Sequence, residues 1–348
     1  MDWTSKKILI TGGTGSFGRA FIKYALEHLK PDVIRVFSRD ELKQSELREQ
    51  FKHPSLRYFI GDVRDAERLE RALRGVHIVI HAAAMKRVEA CEYNPFEAIQ
   101  TNIVGTQNII NAAIDNGVER VIAISSDKAV NPVNLYGATK LCQEKIVVQS
   151  NSYVGPKKTR LSCVRYGNVV GSRGSVVPIF KQQAKSGEVT ITDDRMTRFW
   201  ITLDQAVRFV HSSIEMMQGG EVFIPKLPSM KITDLARVLA PKAKLNVTGI
   251  RPGEKLHEVM ITEDESRHTV ELGDRFVVEP EFPWWSASTP AYAKGTRPVD
   301  GFRYASNINT DWLDDQRLHS MIPEEYRDTP SVEIKGFGDK DKFVGRVS

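Results

Sequence analysis

Short apolar runs rich in β-branched residues alternate with amphipathic stretches along the first half of the chain. Six of these runs predict β-strands, at residues 7–11, 33–38, 56–61, 76–82, 121–125 and 161–166. Residues 17–29 have helical periodicity, and residues 95–117 predict one long helix, which begins at Pro95 and is closed by Gly117. Short buried strands that alternate with helices are typical of a parallel sheet covered on both faces.

The pattern loosens after about residue 167. Residues 185–235 mix short strands and helices, and the chain beyond residue 262 has little periodicity until a helix predicted at 311–321. We therefore predict an α/β fold, in which a doubly wound parallel sheet occupies residues 1–167. A smaller C-terminal lobe, expected to bind substrate, occupies residues 168–348 and is interleaved with the last strands of the sheet.

Composition and charge exclude several classes of protein. The 348 residues are 41% hydrophobic and 27% charged, as in globular proteins, and no apolar run is long enough to span a membrane. Lysine and arginine (49) exceed aspartate and glutamate (44) by only five, with both signs interspersed, so no nucleic-acid partner is expected. Met1 to Lys7 lack an apolar signal region, and the three cysteines lie far apart. We expect a cytoplasmic protein without disulfides, bound metal or membrane association.

A glycine-rich turn follows the first predicted strand. Gly12, Gly15 and Gly18 form a G-x-x-G-x-x-G pattern between that strand and a helix. Glycines allow a tight turn and close approach to a pyrophosphate, whose charge is stabilised at the helix N-terminus. The turn thus predicts a Rossmann-type dinucleotide site, although the same glycines also suit a turn without a ligand. The predicted cofactor contacts here are Gly12, Thr14, Gly15, Ser16, Phe17 and Gly18.

The ends of the second and third strands bear on the choice of dinucleotide. Ser38 and Arg39 are followed by Asp40, and an arginine at this place suits the 2′-phosphate of NADP. We therefore favour NADP, while Asp40 would serve the ribose of NAD, and a solvated Arg–Asp pair is the alternative without a ligand. Asp62, with Val63 beside it, is predicted either to accept from the adenine amino group or to cap a helix.

A tyrosine and a lysine four residues apart carry the predicted catalytic chemistry. Tyr136 and Lys140 would share one face of a helix, where the ammonium would lower the phenol pKa toward neutrality. Such a tyrosine can take a hydroxyl proton while a hydride leaves the same carbon. Ser126, after the fifth strand, would present its hydroxyl at the same crevice. Alone, a Y-x-x-x-K pair is more often a surface pair, but the glycine turn makes the combination specific.

These motifs together resemble the extended short-chain dehydrogenase/reductase superfamily. The resemblance rests on TGGTGSFG, HAAAMKRV, TNIVGTQNII, SSDK, YGATK, RYGNVVGSRGS, RFWIT and RPGEKLHE, which span most of residues 6–260 in the order of the family. Within the superfamily the chain is most similar to the inverting UDP-N-acetylglucosamine 4,6-dehydratases, which start pseudaminic acid biosynthesis. The discriminating stretch is SSDKAVNPVNLYGATKLCQEK.

The resemblance implies a division of labour at Ser126-Asp127-Lys128. Lys128 would take the C5 proton and Asp127 would protonate the departing C6 hydroxyl, which requires a neutral Lys128 and a protonated Asp127, both reachable by burial. UDP-sugar 4-epimerases typically have only hydroxyl residues here, and retaining 4,6-dehydratases have Asp-Glu. A related 4,6-dehydratase/5-epimerase group has Met at the position of Tyr136. A loop salt bridge is the purely structural alternative.

The same resemblance implies further ligand contacts. Arg198 and Arg251 would bind the UDP diphosphate, and Asn168 would orient it. Glu254 would take a ribose hydroxyl, or pair in the surroundings of Lys255. The second half of the cofactor would contact Ala82, Ala83, Ala84, Lys86, Asn102, Tyr136 and Lys140, with Lys86 also reaching the substrate. Each arginine alone is more often a surface cation, and Asn102 equally suits a polar helix position without a ligand.

The expected activity is NADP-dependent removal of water from UDP-N-acetylglucosamine with inversion at C5. The product would be UDP-2-acetamido-2,6-dideoxy-β-L-arabino-hexos-4-ulose, and the tightly bound cofactor would be regenerated in each cycle. The long helix 95–117 offers a pairing face of the kind that the superfamily uses in dimers, and relatives of this branch also form hexamers, so the resemblance implies a homo-oligomer. The alternatives are a UDP-sugar 4-epimerase, a retaining UDP-N-acetylglucosamine 4,6-dehydratase and, from another class, a non-catalytic NADP-binding scaffold.

Overall fold

The structure is a computed structural model that describes residues 1–155, 157–171, 175–282 and 291–326. Its strands are short, and those of the main sheet are mostly buried on both faces. The strands are β1 (Lys7–Thr11), β2 (Val33–Ser38), β3 (Leu56–Ile60), β4 (Ile78–His81), β5 (Arg120–Ile124), β6 (Arg160–Val164), β7 (Asn168–Val169), β8 (Glu188–Ile191), β9 (Thr197–Ile201), β10 (Val222–Pro225), β11 (Ser229–Lys231), β12 (Lys244–Val247), β13 (Val259–Ile261), β14 (Thr269–Glu271), β15 (Arg275–Val278) and β16 (Tyr304–Ala305).

Helices connect these strands, and several begin at side chains that cap their first turn. Asp40, Asp65 and Asn134 each accept a hydrogen bond from a backbone N–H of the helix that follows. The helices are α1 (Ser16–Tyr24), α2 (Glu41–Phe51), α3 (Ala66–Leu73), α4 (Val88–Tyr93), α5 (Pro95–Ile99), α6 (Gly105–Asp115), α7 (Leu135–Gln149), α8 (Val176–Ala184), α9 (Leu203–Met216), α10 (Ile232–Leu239), α11 (Glu263–Ser266) and α12 (Asp315–Met321).

One sheet organises the fold. Among the described residues it has nine strands in the order β14-β15-β10-β6-β5-β4-β1-β2-β3. The strands from β10 to β3 in that order are parallel, whereas β15 and β14 add to β10 as antiparallel strands. Chain order reverses on either side of β1, as in a doubly wound sheet, so the predicted fold class is confirmed.

The six predicted strands of the first half all form, with ends that differ by up to two residues from the prediction. The predicted helix 95–117 forms as α5, a π-helical turn at Gln100–Val104 and α6. A second π-helical turn, Ala25–Leu29, continues α1. Such a turn is a short, local feature of a longer helix, and the hydrophobic periodicity of the whole segment did not predict it.

A second, smaller core lies outside the main sheet. It is built from buried side chains of α8, β8, β9, α10 and α12, among which Phe180, Trp200 and Leu235 are fully or almost fully buried. The strands β10, β14 and β15 belong to the main sheet even though they follow residue 167. The division of the chain at residue 167 stays a prediction.

The carboxyl ends of the parallel strands meet at one edge of the sheet. There β1 leads into the glycine turn, β4 into Ala82–Ala84, and β5 into Ser126-Asp127-Lys128. In open α/β sheets, ligands bind in the crevice at this edge, where the strand order reverses. Within the described part of the chain, no helix is both long and apolar enough to cross a membrane. No grouping of metal-binding side chains occurs there either.

Candidate active site

The glycine turn has the shape that a pyrophosphate needs. Gly12 has a φ of +65°, and a Cβ on it would lie 2.9 Å from the backbone nitrogen of Ala83. Helix α1 begins directly after Gly15, with no side chain capping its first turn and no acidic residue in that turn. Its free N–H groups therefore face the edge where an anionic group can bind. Thr14, Ser16, Phe17 and Gly18 lie in or beside this turn, so the structure brings the predicted residues together and fits a dinucleotide.

Arg39 lies exposed at the end of β2, with Nη1 3.7 Å from Asp62 Oδ2. By contrast, Asp40 is committed to α2, because Oδ1 accepts from the backbone nitrogen of Lys43 at 2.9 Å. Ser38 is buried, and its hydroxyl accepts a hydrogen bond from Gln44. The exposed guanidinium is thus the more available partner for a ligand at this strand end.

Asp62 does not cap a helix, so that interpretation is wrong. The N-cap of α3 is Asp65, whose side chain accepts from the backbone nitrogen of Arg68. Asp62 instead accepts hydrogen bonds from the backbone and the guanidinium of Arg64. Although burial opposes it, this contact lowers the pKa of Asp62 below its ordinary value. Val63, its neighbour, is buried beside it.

The segment after β4 is held from behind by buried polar side chains. The Thr11 hydroxyl accepts from the nitrogens of Ala82 and Ala83, and also contacts His81. Burial lowers the pKa of His81 to about 3, as expected of a core histidine that is not a base. Ala84 and Lys86 follow at the rim, and the surrounding protein and neighbouring Arg87 lower the pKa of Lys86.

Asn102 has no exposed surface, which corrects its predicted contact with the cofactor. Its amide accepts from the nitrogen of Met85 at 2.8 Å and donates to the Met85 carbonyl and the Thr139 hydroxyl at 2.9 Å each. All of its donors are thereby used within the protein. Asn102 positions the segment after β4 against α7 and does not present a free amide to a ligand.

The Ser126-Asp127-Lys128 segment forms a single tight turn at the end of β5. The Ser126 hydroxyl donates to Asp127 Oδ1 at 2.9 Å, and Lys128 Nζ donates to the same oxygen at 3.1 Å. Asp127 is 1% exposed, and its other oxygen, Oδ2, is buried without a hydrogen-bond partner. A buried carboxyl oxygen without a partner is expensive unless a proton or a ligand satisfies it. Asp127 Oδ2 is therefore an oxygen that a proton or a ligand can satisfy.

A further acidic residue, Glu258, completes this cluster and has no assigned role in the sequence analysis. It is 2% exposed, and Oε1 lies 3.3 Å from Lys128 Nζ. It is brought there because β13, which follows it directly, packs beside the turn that holds Lys128. The available signal was its place at the end of the RPGEKLHE motif, but 130 residues separate it from Lys128.

The two carboxylates and their shared ammonium shift one another's pKa. Burial and the nearby Glu258 raise the pKa of Asp127, against the opposing effect of Lys128. Burial alone would lower the pKa of Lys128, but Asp127 and Glu258 together raise it above its ordinary value. The raised pKa of Asp127 eases its protonation during a reaction, whereas the raised pKa of Lys128 opposes the neutral amine that the sequence analysis expected. Lys128 carries a proton until another group receives it.

Helix α7 brings Tyr136 to the same place. Gly137 allows this approach, because a Cβ there would lie 2.2 Å from the carbonyl oxygen of Lys128. The phenol is nearly buried, and burial raises its pKa to about 12, with Lys128 and the Ser126 hydroxyl opposing that rise. The predicted lowering by Lys140 is therefore wrong. Lys140 is 3% exposed, it donates to Ile124 O and Gln143 Oε1, and burial lowers its pKa to about 8.

The residues predicted to bind the diphosphate differ from one another. Arg198 is 9% exposed and donates to the backbone carbonyls of Thr197, Leu256 and Lys255. Its guanidinium holds this loop, which corrects its assignment as a free phosphate ligand. Arg251 is exposed and retains its guanidinium for a ligand.

The remaining substrate candidates retain unused polar groups. Asn168 Oδ1 is buried without a partner. Glu254 accepts from the backbone nitrogen of Arg251 at 3.3 Å. It does not depend on Lys255, whose Nζ donates to the Val130 carbonyl at 2.6 Å. An amide oxygen and a partly exposed carboxylate remain available at this side of the site.

Taken together, the site offers proton-transfer groups beside a dinucleotide cradle. Asp127 can hold a proton, Lys128 can hold and release one, and Tyr136 presents a phenol within reach of Ser126. Acid, amine and phenol next to a hydride acceptor suit oxidation of a hydroxyl followed by proton removal at a neighbouring carbon.

Comparison with known proteins agrees with this chemistry. Residues 8–280 match the family model described as "Polysaccharide biosynthesis protein". The UDP-N-acetylglucosamine 4,6-dehydratase (inverting) of Campylobacter jejuni is 53% identical over 92% of this chain and 98% of that protein. A UDP-glucose 4-epimerase of Rickettsia canadensis is 41% identical over 79% of this chain and 83% of its own length.

A solved structure supports the fold over nearly the whole chain. The X-ray structure of Pen from Bacillus thuringiensis has a TM-score of 0.84 and 40% sequence identity, covering 92% of this chain and 98% of that one. The family match at residues 8–280 includes both the glycine turn and the cluster after β5. The chain therefore belongs to the polysaccharide biosynthesis protein family, in the branch of the short-chain dehydrogenase/reductase superfamily that holds the inverting UDP-N-acetylglucosamine 4,6-dehydratases.

Proposed function

We propose that the protein removes water across C5–C6 of UDP-N-acetylglucosamine, using NADP, and inverts C5. The observation that carries this proposal is the pair formed by the buried Asp127 and the partly exposed Lys128, beside Tyr136 at the end of β5. A 4-epimerase oxidises and reduces the same carbon and needs no such pair. The identity of 53% to the inverting dehydratase of Campylobacter jejuni supports the same reaction.

The cofactor would bind at the glycine turn, with Arg39 on the 2′-phosphate. When bound there, NADP would take the hydride from C4 and return it to C6. Tyr136 takes the proton of the C4 hydroxyl. Because burial keeps the phenol protonated near neutral pH, Tyr136 would have to release its own proton to solvent before it accepts the C4 proton.

Elimination then requires an amine and an acid at neighbouring positions. A proton that passes from Lys128 Nζ to Asp127, which are 3.1 Å apart, produces both at once. The neutral Lys128 takes the C5 proton, which the C4 ketone has acidified. Asp127 gives its proton to the C6 hydroxyl, which leaves as water while the C5–C6 double bond forms. The pair returns to an ammonium and a carboxylate.

The uridine diphosphate would lie across the loops that follow β6 and precede β13. Arg251 is the available cation for the diphosphate, Asn168 offers a buried amide oxygen, and Glu254 suits a ribose hydroxyl. Lys86 would lie between the cofactor and the sugar. We also infer that the reaction is the first step of a pseudaminic acid-type pathway, performed in the cytoplasm by a homo-oligomer.

A proton NMR time course with UDP-N-acetylglucosamine in D₂O tests the reaction. We expect a new C6 methyl signal that collapses to a singlet as deuterium enters C5. Epimerisation would leave the CH₂OH group intact, and retention at C5 would produce the other diastereomer of the 4-keto product. An unchanged spectrum, with NADP still bound, would overturn the proposal and support a binding scaffold.

A further inference from the structure

Glu258 is a second buried carboxylate close to Lys128, the residue that we propose takes the C5 proton. Its Oε1 lies 3.3 Å from Lys128 Nζ, and the same Nζ donates a hydrogen bond to Asp127 Oδ1. The other oxygen, Oε2, has no hydrogen-bond partner and is buried. Burying a second carboxylate beside the first is costly unless cations compensate for it.

Two further cations compensate for Glu258, and the backbone holds both. Lys255 Nζ lies 3.6 Å from Oε2 and is anchored to the Val130 carbonyl. Arg198 Nε lies 3.9 Å from Oε1, while its terminal nitrogens are bound to carbonyls of the same loop. The backbone nitrogen of Glu258 donates to the Ser306 hydroxyl at 3.0 Å. The backbone of Glu258 is thus held by Ser306, and the three cations lower the pKa of its carboxyl below the ordinary value although burial opposes them.

We propose that Glu258 is a positioning residue for the elimination, in that it orients the Lys128 amine and stabilises the ammonium formed when Lys128 takes the C5 proton. This inference rests on the proposed function. In the step itself the C5–H bond breaks, the N–H bond forms, and positive charge develops on Nζ. A carboxylate already 3.3 Å from Nζ lowers the energy of that charge, and it needs no reorganisation as the charge develops. The logic is that of a base held by a third, ionised group.

The charge of Glu258 also sets where Lys128 titrates. The charged groups that face Lys128 are Asp127 and Glu258, which favour the ammonium, and Arg198 and Lys255, which oppose it. Glu258 is faced by Lys128, Lys255 and Arg198. Removing the negative charge of Glu258 leaves two of these cations without compensation, so the Lys128 pKa must fall. The same substitution should therefore make Lys128 a weaker base and orient its amine less accurately toward C5.

The test is Glu258→Gln, compared with Glu258→Asp and with Glu265→Gln. Glu265 is a part-buried carboxylate that pairs with Arg165 at 2.9 Å, so its variant controls for losing an acidic partner elsewhere. C5 deuterium exchange, C6 methyl formation and cofactor reduction at 340 nm are followed across pH. We expect Glu258→Gln to slow C5 exchange at least ~10-fold, with C4 oxidation and the KM for the sugar within about twofold.

The pH profile distinguishes positioning from a structural effect. For Glu258→Gln, the rising limb of C5 exchange should move to lower pH by about one unit or more, the usual effect of an opposite charge within 4–6 Å. Glu258→Asp should keep the limb of the wild type, and Glu265→Gln should lower thermal stability without moving it. Equal slowing of C4 oxidation and C5 exchange, or an unmoved limb, would overturn the inference.

A second measurement needs no turnover. In protein labelled with ¹⁵N-lysine, the Lys128 Nζ signal, assigned by its loss in Lys128→Met, should deprotonate at lower pH in Glu258→Gln than in wild type. If Glu258→Gln does not fold, the rates of C5 exchange and C4 oxidation are compared in Glu258→Asp instead. Its shorter side chain should slow C5 exchange more than C4 oxidation. A wild-type protein that makes no C6 methyl would refute the proposed function, while the titration would still decide whether Glu258 controls Lys128.

Discussion

Two buried clusters in this protein each place one cation between two carboxylates, and they differ in how completely they are satisfied. In one, the Arg165 guanidinium donates to both oxygens of Glu144 and both oxygens of Glu265, as well as to the Met260 carbonyl. In the other, Lys128 lies between Asp127 and Glu258, and each carboxylate keeps one oxygen without a hydrogen-bond partner.

The difference separates an architectural cluster from a chemical one. Arg165 joins α7 to α11 by a fork of bonds that a planar guanidinium can complete, and nothing remains for a ligand. Lysine has a flexible stem and a proton that it can lose when its surroundings change. A buried carboxylate oxygen without a hydrogen-bond partner destabilises the fold. The same oxygen is free to take part in a reaction. Breaking each cluster in turn should therefore have opposite consequences.

The largest effect is expected from Lys128→Met, which removes the amine and keeps the bulk of the stem. Elimination should fall by up to ~10⁴-fold, the upper range for a general base, while binding and C4 oxidation survive because Tyr136 is untouched. The enzyme should stall with reduced cofactor absorbing at 340 nm and without a C6 methyl. Lys226→Met, which removes a surface pair with Glu271, is the control. Dehydration near the wild-type rate would show that Lys128 is not the base.

Arg165→Met should act on stability instead. Removing this cation leaves Glu144 buried without its partner and Glu265 with only its capping contact to Thr262, and breaking a buried ion pair in this way costs about 3–5 kcal/mol. Urea unfolding should show the loss. At a temperature where the variant stays folded, the ratio of C5 exchange to C4 oxidation should equal that of wild type. A changed ratio would mean that this cluster also takes part in the chemistry.

Tyr136→Phe lies outside both clusters and tests the first step of the reaction. The phenol that accepts the C4 proton is lost, so cofactor reduction should slow by ~10²-fold, the lower range for general catalysis. Tyr304→Phe is the matched control, since its hydroxyl is buried and bonded to the backbone of Leu227. That variant should lose stability and keep its rate per folded molecule. Unchanged C4 oxidation in Tyr136→Phe would assign the step to another group.

The smallest effect is expected at the cofactor rim. If Arg39 holds a 2′-phosphate, Arg39→Ala should weaken NADP by about 1.5–3 kcal/mol, the range for a hydrogen bond to a charged group, and leave NAD nearly unchanged. Arg57→Ala, at an exposed guanidinium that donates to the backbone carbonyls of Pro54 and Leu56, should alter neither. Calorimetric titration with both dinucleotides measures the difference, and equal loss for the two would reject the assignment.

The sequence predicted the main sheet well because its signals are local. Apolar runs between turn residues mark β1 to β6, and the glycine turn marks where β1 ends. The antiparallel additions β14 and β15 were not predicted, because they are only three and four residues long and their place depends on pairing with β10. Segments this short depend on tertiary partners more than on propensity.

The site was predictable where one motif holds its residues and not where the fold supplies them. Asp127, Lys128 and Tyr136 lie within ten residues, so a motif contains them. Glu258 arrives from β13, and no spacing rule links it to Lys128. The sign of the Tyr136 pKa shift was wrong because it depends on burial, and helix spacing alone says nothing of how much solvent reaches a phenol.

The position of β6 within the sheet has a consequence for the order in which the molecule forms on the ribosome. Its outer neighbour β10 begins 58 residues later, since β6 ends at Val164 and β10 begins at Val222. Emergence of the chain through β10 takes on the order of ten seconds at usual synthesis rates. During that time β6 exposes an unpaired edge, and Lys128 has no contact with Glu258, which has not yet been synthesised. The nascent chain is therefore most vulnerable to wrong strand pairing at this edge, and chaperone binding is expected there.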